Sequence, residues 1–188
     1  MPVRDDKSFE ALALPHAEAI YRFARRLTRD EHEAEDLVQE AYLKAYKAFG
    51  RFEEREFGVR PWLLKILYNA FLNRQVRAKR TPVAADQQAL DQIHADSGDL
   101  GSESPPELDY ERVDEEVKRA IDALPVEFRS VLLLWASMEM SYQEIADTLS
   151  VPIGTVMSRL HRGRQQVIRS LSNFAKEQRL TPASRSDE

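Results

Sequence analysis

The sequence predicts an all-α protein: two small helical domains joined by a flexible acidic linker, the second carrying a helix-turn-helix. Three observations lead there. Apolar residues recur at helical spacing in both halves, and no run alternates like a strand between turn residues. Residues 83–112 combine Gly98, Gly101, Pro105 and Pro106 with eight acidic residues against one Arg, the composition of a linker. The quartet Ser141-Tyr142-Gln143-Glu144 is a capping-box pattern, and it opens a short helix followed by a break and a basic helix. The chain of 188 residues has room for two domains of roughly 70–80 residues each. Their expected limits are 9–82 and 113–175, with the linker at 83–112 and a short helix within 84–95 left open.

Taken in order, Ile20, Phe23, Ala24 and Leu27 form one apolar stripe and predict a helix over 17–28. Asp30 is the expected N-cap of the next helix. Glu31, Glu33, Glu35 and Asp36 crowd its first turns, where the helix dipole favours negative charge. Ala34, Leu37, Val38, Ala41, Tyr42 and Ala45 carry that helix to about Phe49, and Gly50 stops it. Residues 51–60 show no period and read as a loop. Pro61 suits the first position of a third helix, whose buried face is Trp62, Leu63, Ile66, Leu67, Ala70 and Phe71; Pro82 ends it.

Past the linker, Val113, Val117, Ala120, Ile121 and Leu124 form a stripe. Pro125 opens a helix with Phe128, Val131, Leu132 and Trp135 inside. The capped helix holds Ile145, Ala146 and Leu149, Ser150-Val151-Pro152 breaks it, and a last helix runs from about Ile153 to Phe174. Ile145, Leu149, Val151, Val156 and Leu160 would close the joint of a helix-turn-helix. Ser150 stands where such turns often carry Gly. Thr155, Ser158, Arg159, His161, Arg162 and Gln165 form the outward arc of the second helix. Arg pairs bidentately with guanine, and Ser or Thr bonds bases or phosphates.

Composition narrows the function. The chain has no cysteine, which excludes disulfides, Cys-ligated zinc, iron–sulfur clusters and thiol nucleophiles on it. No phosphate loop, dinucleotide fingerprint or H-E-x-x-H spacing occurs, and the four His residues are scattered. No enzyme, cofactor or metal is expected. The longest uncharged apolar run falls far short of the ~20 residues of a membrane span, and the first residues lack a secretory pattern, so a soluble cytoplasmic protein is expected. The net charge of −5 conceals its distribution. Residues 60–82 carry six basic residues and no acid, and 148–180 carry six against Glu177 alone. Two basic patches flanking an acidic strip suit nucleic acid.

Three segments carry a family resemblance. Ala34-Glu35-Asp36-Leu37-Val38-Gln39-Glu40 resembles region 2.2 of bacterial sigma factors. Pro61-Trp62-Leu63 through Asn69 and Asn73 to Arg80 resembles regions 2.3 and 2.4. Pro152-Ile153-Gly154-Thr155-Val156-Met157-Ser158-Arg159-Leu160 resembles region 4.2. Their order is similar to the extracytoplasmic-function class, and the wording around 152–164 looks like its thiol-oxidative-stress branch.

The resemblance implies roles. Asp36, Gln39 and Glu40, with Leu37 partly exposed beside them, would dock on core RNA polymerase. Phe52 and Phe57 would wall a pocket for a base of the opened minus-10 strand, with Asn69 and Asn73 reading or holding it. Arg74, Arg77, Lys79 and Arg80 would meet phosphates there. Thr155, Ser158, Arg159, His161 and Arg162 would contact the minus-35 duplex. Trp62 is divided between core packing and base stacking. An anti-sigma factor, of a zinc-binding type, would be a further partner, inserting between the two domains. Two other readings remain: an operator-binding regulator and a sigma-like decoy for an anti-sigma factor.

Overall fold

A computed structural model describes residues 6–52, 58–80 and 114–180. Among them every regular element is helical. The helices are α1 (Asp6–Ala13), α2 (Ala17–Thr28), α3 (Glu31–Ala48), α4 (Val59–Arg80), α5 (Glu115–Asp122), α6 (Val126–Ala136), α7 (Tyr142–Leu149) and α8 (Ile153–Leu180). Short 3-10 turns at Leu14–His16 and Phe49–Arg51 follow α1 and α3. The expected short helix within 84–95 and the linker lie outside the described residues, as does Val113.

Local chemistry sets the helix ends. Asp30 caps α3, its carboxylate accepting from the Glu33 amide at 2.9 Å. At α7 both arms of the capping box are made: the Glu144 amide donates to Ser141 Oγ at 3.3 Å, and the Ser141 amide donates to Glu144 Oε2 at 2.8 Å. Ser150 ends α7 in the left-handed region, φ 57°, without the glycine such a position favours. Gly58 takes φ +70° just before α4, where its missing Cβ makes that turn free of strain.

Three element expectations change. Helix α1 was not expected; Phe9 and Ala13 bury it, and Phe9 meets Tyr42, Tyr46 and Phe49 edge-on at centroid distances of 5.2–6.4 Å. Helix α4 begins at Val59 rather than at Pro61. Pro61 then falls third in the first turn, where no intrahelical donor is lost. Helix α8 runs beyond Phe174, to Leu180.

α1–α4 form one half and α5–α8 the other, and a single hydrophobic cluster runs through both. α2 packs on α3 and α4, α8 packs on α6 and α7, and across the seam α4 meets α7 and α2 meets α6. The two halves already fill each other's apolar surface there.

The seam explains α6. Phe128 through Ala136 are all buried, including Arg129 and Ser130. A helix in one small domain buries a single stripe; this one has its own half on one side and α2 on the other. Arg129, 2% exposed, spans the gap: its Nη2 donates to Leu27 O at 2.8 Å and its Nη1 to Asp122 O at 3.0 Å.

Candidate nucleic-acid interface

The residues expected to dock on polymerase do not share one environment. α3 rolls its apolar stripe of Ala34, Leu37, Ala41 and Ala45 into the core. Leu37 is fully buried, not partly exposed as expected, because it falls on that stripe one turn from Ala34 and Ala41. Asp36 and Gln39 stand in solvent. Glu40 is tied down. It accepts from Lys44 one turn on and from Arg74 Nε of α4 at 2.9 Å. The Lys44 hydrogen bond, aided by Arg74 and opposed by burial, holds the Glu40 carboxyl below its ordinary range.

Arg74, expected on minus-10 phosphates, spends its guanidinium on α3. Besides Glu40 it donates to Asp36 O at 3.0 Å. The two cation partners of Glu40 thus make it a brace between α3 and α4 rather than a solvated acid. One residue that sequence reasoning missed completes the exposed face of α3: Leu43, 61% exposed, seven residues after Asp36 and four after Gln39. Its spacing was the available signal, since it falls off the apolar stripe. Tyr46 is also largely exposed one turn further.

The expected minus-10 site is built around the start of α4. Phe52 is buried, stacked on Phe49 at 5.9 Å and against Trp62 at 4.6 Å. Phe52 and Trp62 wall a cavity of about 420 Å³, and Asn69 also lines it. Trp62 is half-buried, packed against the core and also lining the cavity. Asn69 and Asn73 are exposed one turn apart on α4, and Arg77 follows in solvent. Phe57 lies outside the described residues. Lys79 and Arg80 belong to the last turn of α4, with their side chains outside the description. What sequence reasoning missed is the far wall: Asp147 and Thr148, from α7 of the other half.

The helix-turn-helix closes as its inward pattern requires. Ile145, Val156 and Leu160 are fully buried and Leu149 nearly so, with Val151 packed on them. The outward arc is less open than expected. Thr155, Ser158, Arg159, His161 and Arg162 are all half-buried, and only Gln165 stands fully in solvent. Ser158 Oγ donates to Thr155 O at 3.0 Å. The Arg159 charge lies close enough to Tyr68 of α4 to oppose the burial that raises the Tyr68 phenol above its ordinary range. Tyr68 also shares a hydrogen bond with Ser130. The arc therefore turns partly towards the other half. On its remaining flank Arg164 lies over the Trp135 ring at 5.4 Å.

Among the described residues no cluster of His and acidic side chains could hold a metal ion. Nor is any helix of theirs long and apolar enough to cross a membrane.

Comparison with known proteins gives a consistent answer. Residues 12–81 match the family description Sigma-70 region 2, and residues 114–167 match Sigma-70, region 4. The ECF RNA polymerase sigma factor SigE of Mycolicibacterium smegmatis is 34% identical over 171 residues, covering 90% of this chain and 64% of that longer protein. The RNA polymerase sigma-H factor of Pseudomonas aeruginosa is 31% identical over 176 residues, 92% of this chain and 91% of that one. Among solved structures, the sigma factor RpoE of Bartonella quintana, crystallised with the anti-sigma factor NepR, superposes with a TM-score of 0.63 at 26% identity, covering 88% of this chain and 98% of that one.

Proposed function

The chain belongs to the extracytoplasmic-function class of RNA polymerase sigma factors, and we propose that it directs core polymerase to a set of stress promoters by dividing the reading between its halves. Sigma factors are initiation factors without enzymatic activity, so the chemistry of transcription stays with the polymerase. The protein would work in the cytoplasm, where polymerase and promoters are. The domain limits 9–82 and 113–175 carry the two tasks.

In the first half, α3 offers Asp36, Gln39 and Leu43 to core polymerase. An apolar side chain ringed by polar groups suits a specific helix-to-protein contact, and Leu43 would be its anchor. The buried Leu37 serves by holding α3 in place, and Glu40 by fixing α3 to α4.

The cavity beside Asn69 carries the proposal. Extruding a base from a duplex costs a few kcal/mol. A pocket that stacks the base and cations that hold its backbone offset that cost. Phe52 and Trp62 supply the aromatic walls, Asn69 and Asn73 the amides, and Arg77, Lys79 and Arg80 the cations. Phe57 would complete the wall. Arg74 contributes indirectly, by fixing α4 to the polymerase-docking helix.

In the second half, the helix-turn-helix would lay α8 in the minus-35 major groove, with Thr155, Ser158, Arg159, His161 and Arg162 along it. The Bartonella relative was solved with an anti-sigma factor, which supports a similar restraint here. With no cysteine in this chain, a thiol-oxidative signal would have to enter through a zinc-binding, Cys-containing partner.

Run-off transcription with core enzyme over a promoter library tests the reading. Addition of the protein should create new start sites. Asn69→Ala should slow open-complex formation and spare binding to a minus-35 duplex. Arg162→Ala should weaken duplex binding by about 1–3 kcal/mol and relax preference at one position. Duplex binding without any start site would instead indicate an operator-binding regulator.

A further inference from the structure

Two glycines lie on α8, and the fold accounts for only one of them. Gly163 is buried against α6: a Cβ there would meet Phe128 Cβ at 3.4 Å and Leu124 Cδ1 at 3.8 Å. Gly154, the second residue of α8, is exposed, and a Cβ there would meet nothing within 4 Å. Its φ is not in the left-handed region, which among the described glycines only Gly58 enters. The helix start is set by a neighbour, since the amides of Thr155 and Val156 donate to Pro152 O at 2.9 and 3.2 Å. After proline, glycine is the residue least favoured in a helix, because it loses the most backbone freedom there. Neither backbone conformation nor packing asks for it at 154, and alanine would suit the free chain better.

The position of Gly154 shows what the missing side chain serves. At 3.6 residues per turn, Gly154, Ser158, His161 and Gln165 fall in one strip about 60° wide. The strip lies opposite the buried Val156, Leu160 and Gly163, so it is the outward edge of the helix-turn-helix itself. Gly154 and Gln165 at its ends are exposed, and Ser158 and His161 between them are half-buried. Side chains on a helix lean towards its N-terminus, so Ser158 leans over the turn that holds position 154. Its Oγ accordingly reaches back to Thr155 O at 3.0 Å. A side chain as short as serine touches DNA only if the backbone of α8 comes close to the duplex. Any side chain at 154 would project into that gap and hold the duplex off.

We infer that Gly154 is a positioning residue of the minus-35 contact: its bare backbone is where a sugar–phosphate strand bordering the major groove closes on the first turn of α8, which lets Ser158 and His161 reach base edges. This role rests on the helix-turn-helix reading and adds a steric requirement to it. Contacts to the strand set where a protein sits on a duplex and carry no sequence information directly. A side chain at 154 therefore lowers affinity for every minus-35 sequence alike.

The test uses the full chain loaded on core polymerase, with fluorescent duplexes that carry minus-35 sequences selected from a promoter library and end before minus-10. Gly154→Ala should raise the Kd at least tenfold, by the same factor for each duplex, and Gly154→Leu should raise it further. Both variants should load on core polymerase normally and melt no lower than the unmodified protein, since the space around position 154 is open. Arg162→Ala provides the contrast, because it should relax preference at one base position. A Gly154→Ala protein that binds within twofold of the unmodified chain would overturn the role. A fall in melting temperature alongside the loss of affinity would also overturn it, because the glycine would then serve the fold. Lost preference at one position, with affinity elsewhere unchanged, would overturn it too, by placing a base edge and not a strand at Gly154. An unmodified protein that selects no duplex at all would instead overturn the helix-turn-helix reading, and this role with it.

Discussion

On α3, Asp36 and Gln39 stand in solvent and Leu43 is 61% exposed. On α8, every residue from Thr155 to Arg162 that was expected to touch DNA is half-buried. Both helices were expected to present a working face, and both bury an apolar stripe. They differ in what lies opposite. The face of α3 looks outward from the first half, whereas the start of α8 turns towards α4 across the seam. The face proposed for polymerase is thus the open one, and the face proposed for the minus-35 duplex is the more covered one.

The largest expected effect comes from opening a cavity in α6, the helix buried on every side. Leu133 lies one turn after Arg129 on α6 and is 2% exposed. Leu133→Ala should destabilise the protein by about 2–5 kcal/mol, read as a shift of the urea midpoint. Gln165→Ala, on the one open position of the α8 arc, should stay within about 0.5 kcal/mol. Equal shifts would mean that packing around Leu133 contributes nothing to stability.

Next is the open face. Leu43→Asp should raise the Kd for core polymerase at least tenfold, about 1.4 kcal/mol, with the melting curve unchanged. Asp36→Arg should act in the same direction. Glu40→Arg is a poorer probe, because it also breaks the brace to Arg74. If Leu43→Asp docks normally, α3 is not the polymerase face.

Ser150→Gly sharpens the comparison from the other side. It removes the left-handed strain at the end of α7 and should stabilise the protein by about 1 kcal/mol, measured by thermal unfolding. A loss of stability would show that the serine is held there by something else.

The smallest effect is a pH dependence at Glu40. Its carboxyl is held below the ordinary value by Lys44 first and Arg74 second. Lowered in the folded state, it adds stability that is present above the unfolded value of about 4.5 and fades as pH falls through the folded one. Glu40→Gln should flatten the stability profile below about pH 4.5 and leave it unchanged in shape near neutrality. A profile unaltered by the substitution would remove the brace.

Much of the molecule was legible in the sequence because its causes are local. The stripe of α2, the Asp30 cap, the capping box of α7 and the inward residues of the helix-turn-helix all depend on neighbours within a few positions. So does the burial of Leu37, which the stripe of Ala34 and Ala41 already implied; the expectation of exposure gave the resemblance too much weight. Helix α1 was less legible, since Phe9 and Ala13 alone bury it and Pro15 follows closely.

The sequence alone determined seven of the eight helices, the caps of α3 and α7, the two basic patches and the family. Only the tertiary structure decided how the halves face each other. The apolar run of α6 announces burial on more than one side, but periodicity carries no information about which distant helix supplies the second side. Arg129 within that run is buried, and Leu27, far away in sequence, offers it a helix-end carbonyl at 2.8 Å. In the same way Arg74 and Arg159 looked like free cations for DNA. Acceptors and ring systems brought up by other helices determine where their charges rest, and those neighbours exist only once the chain has folded.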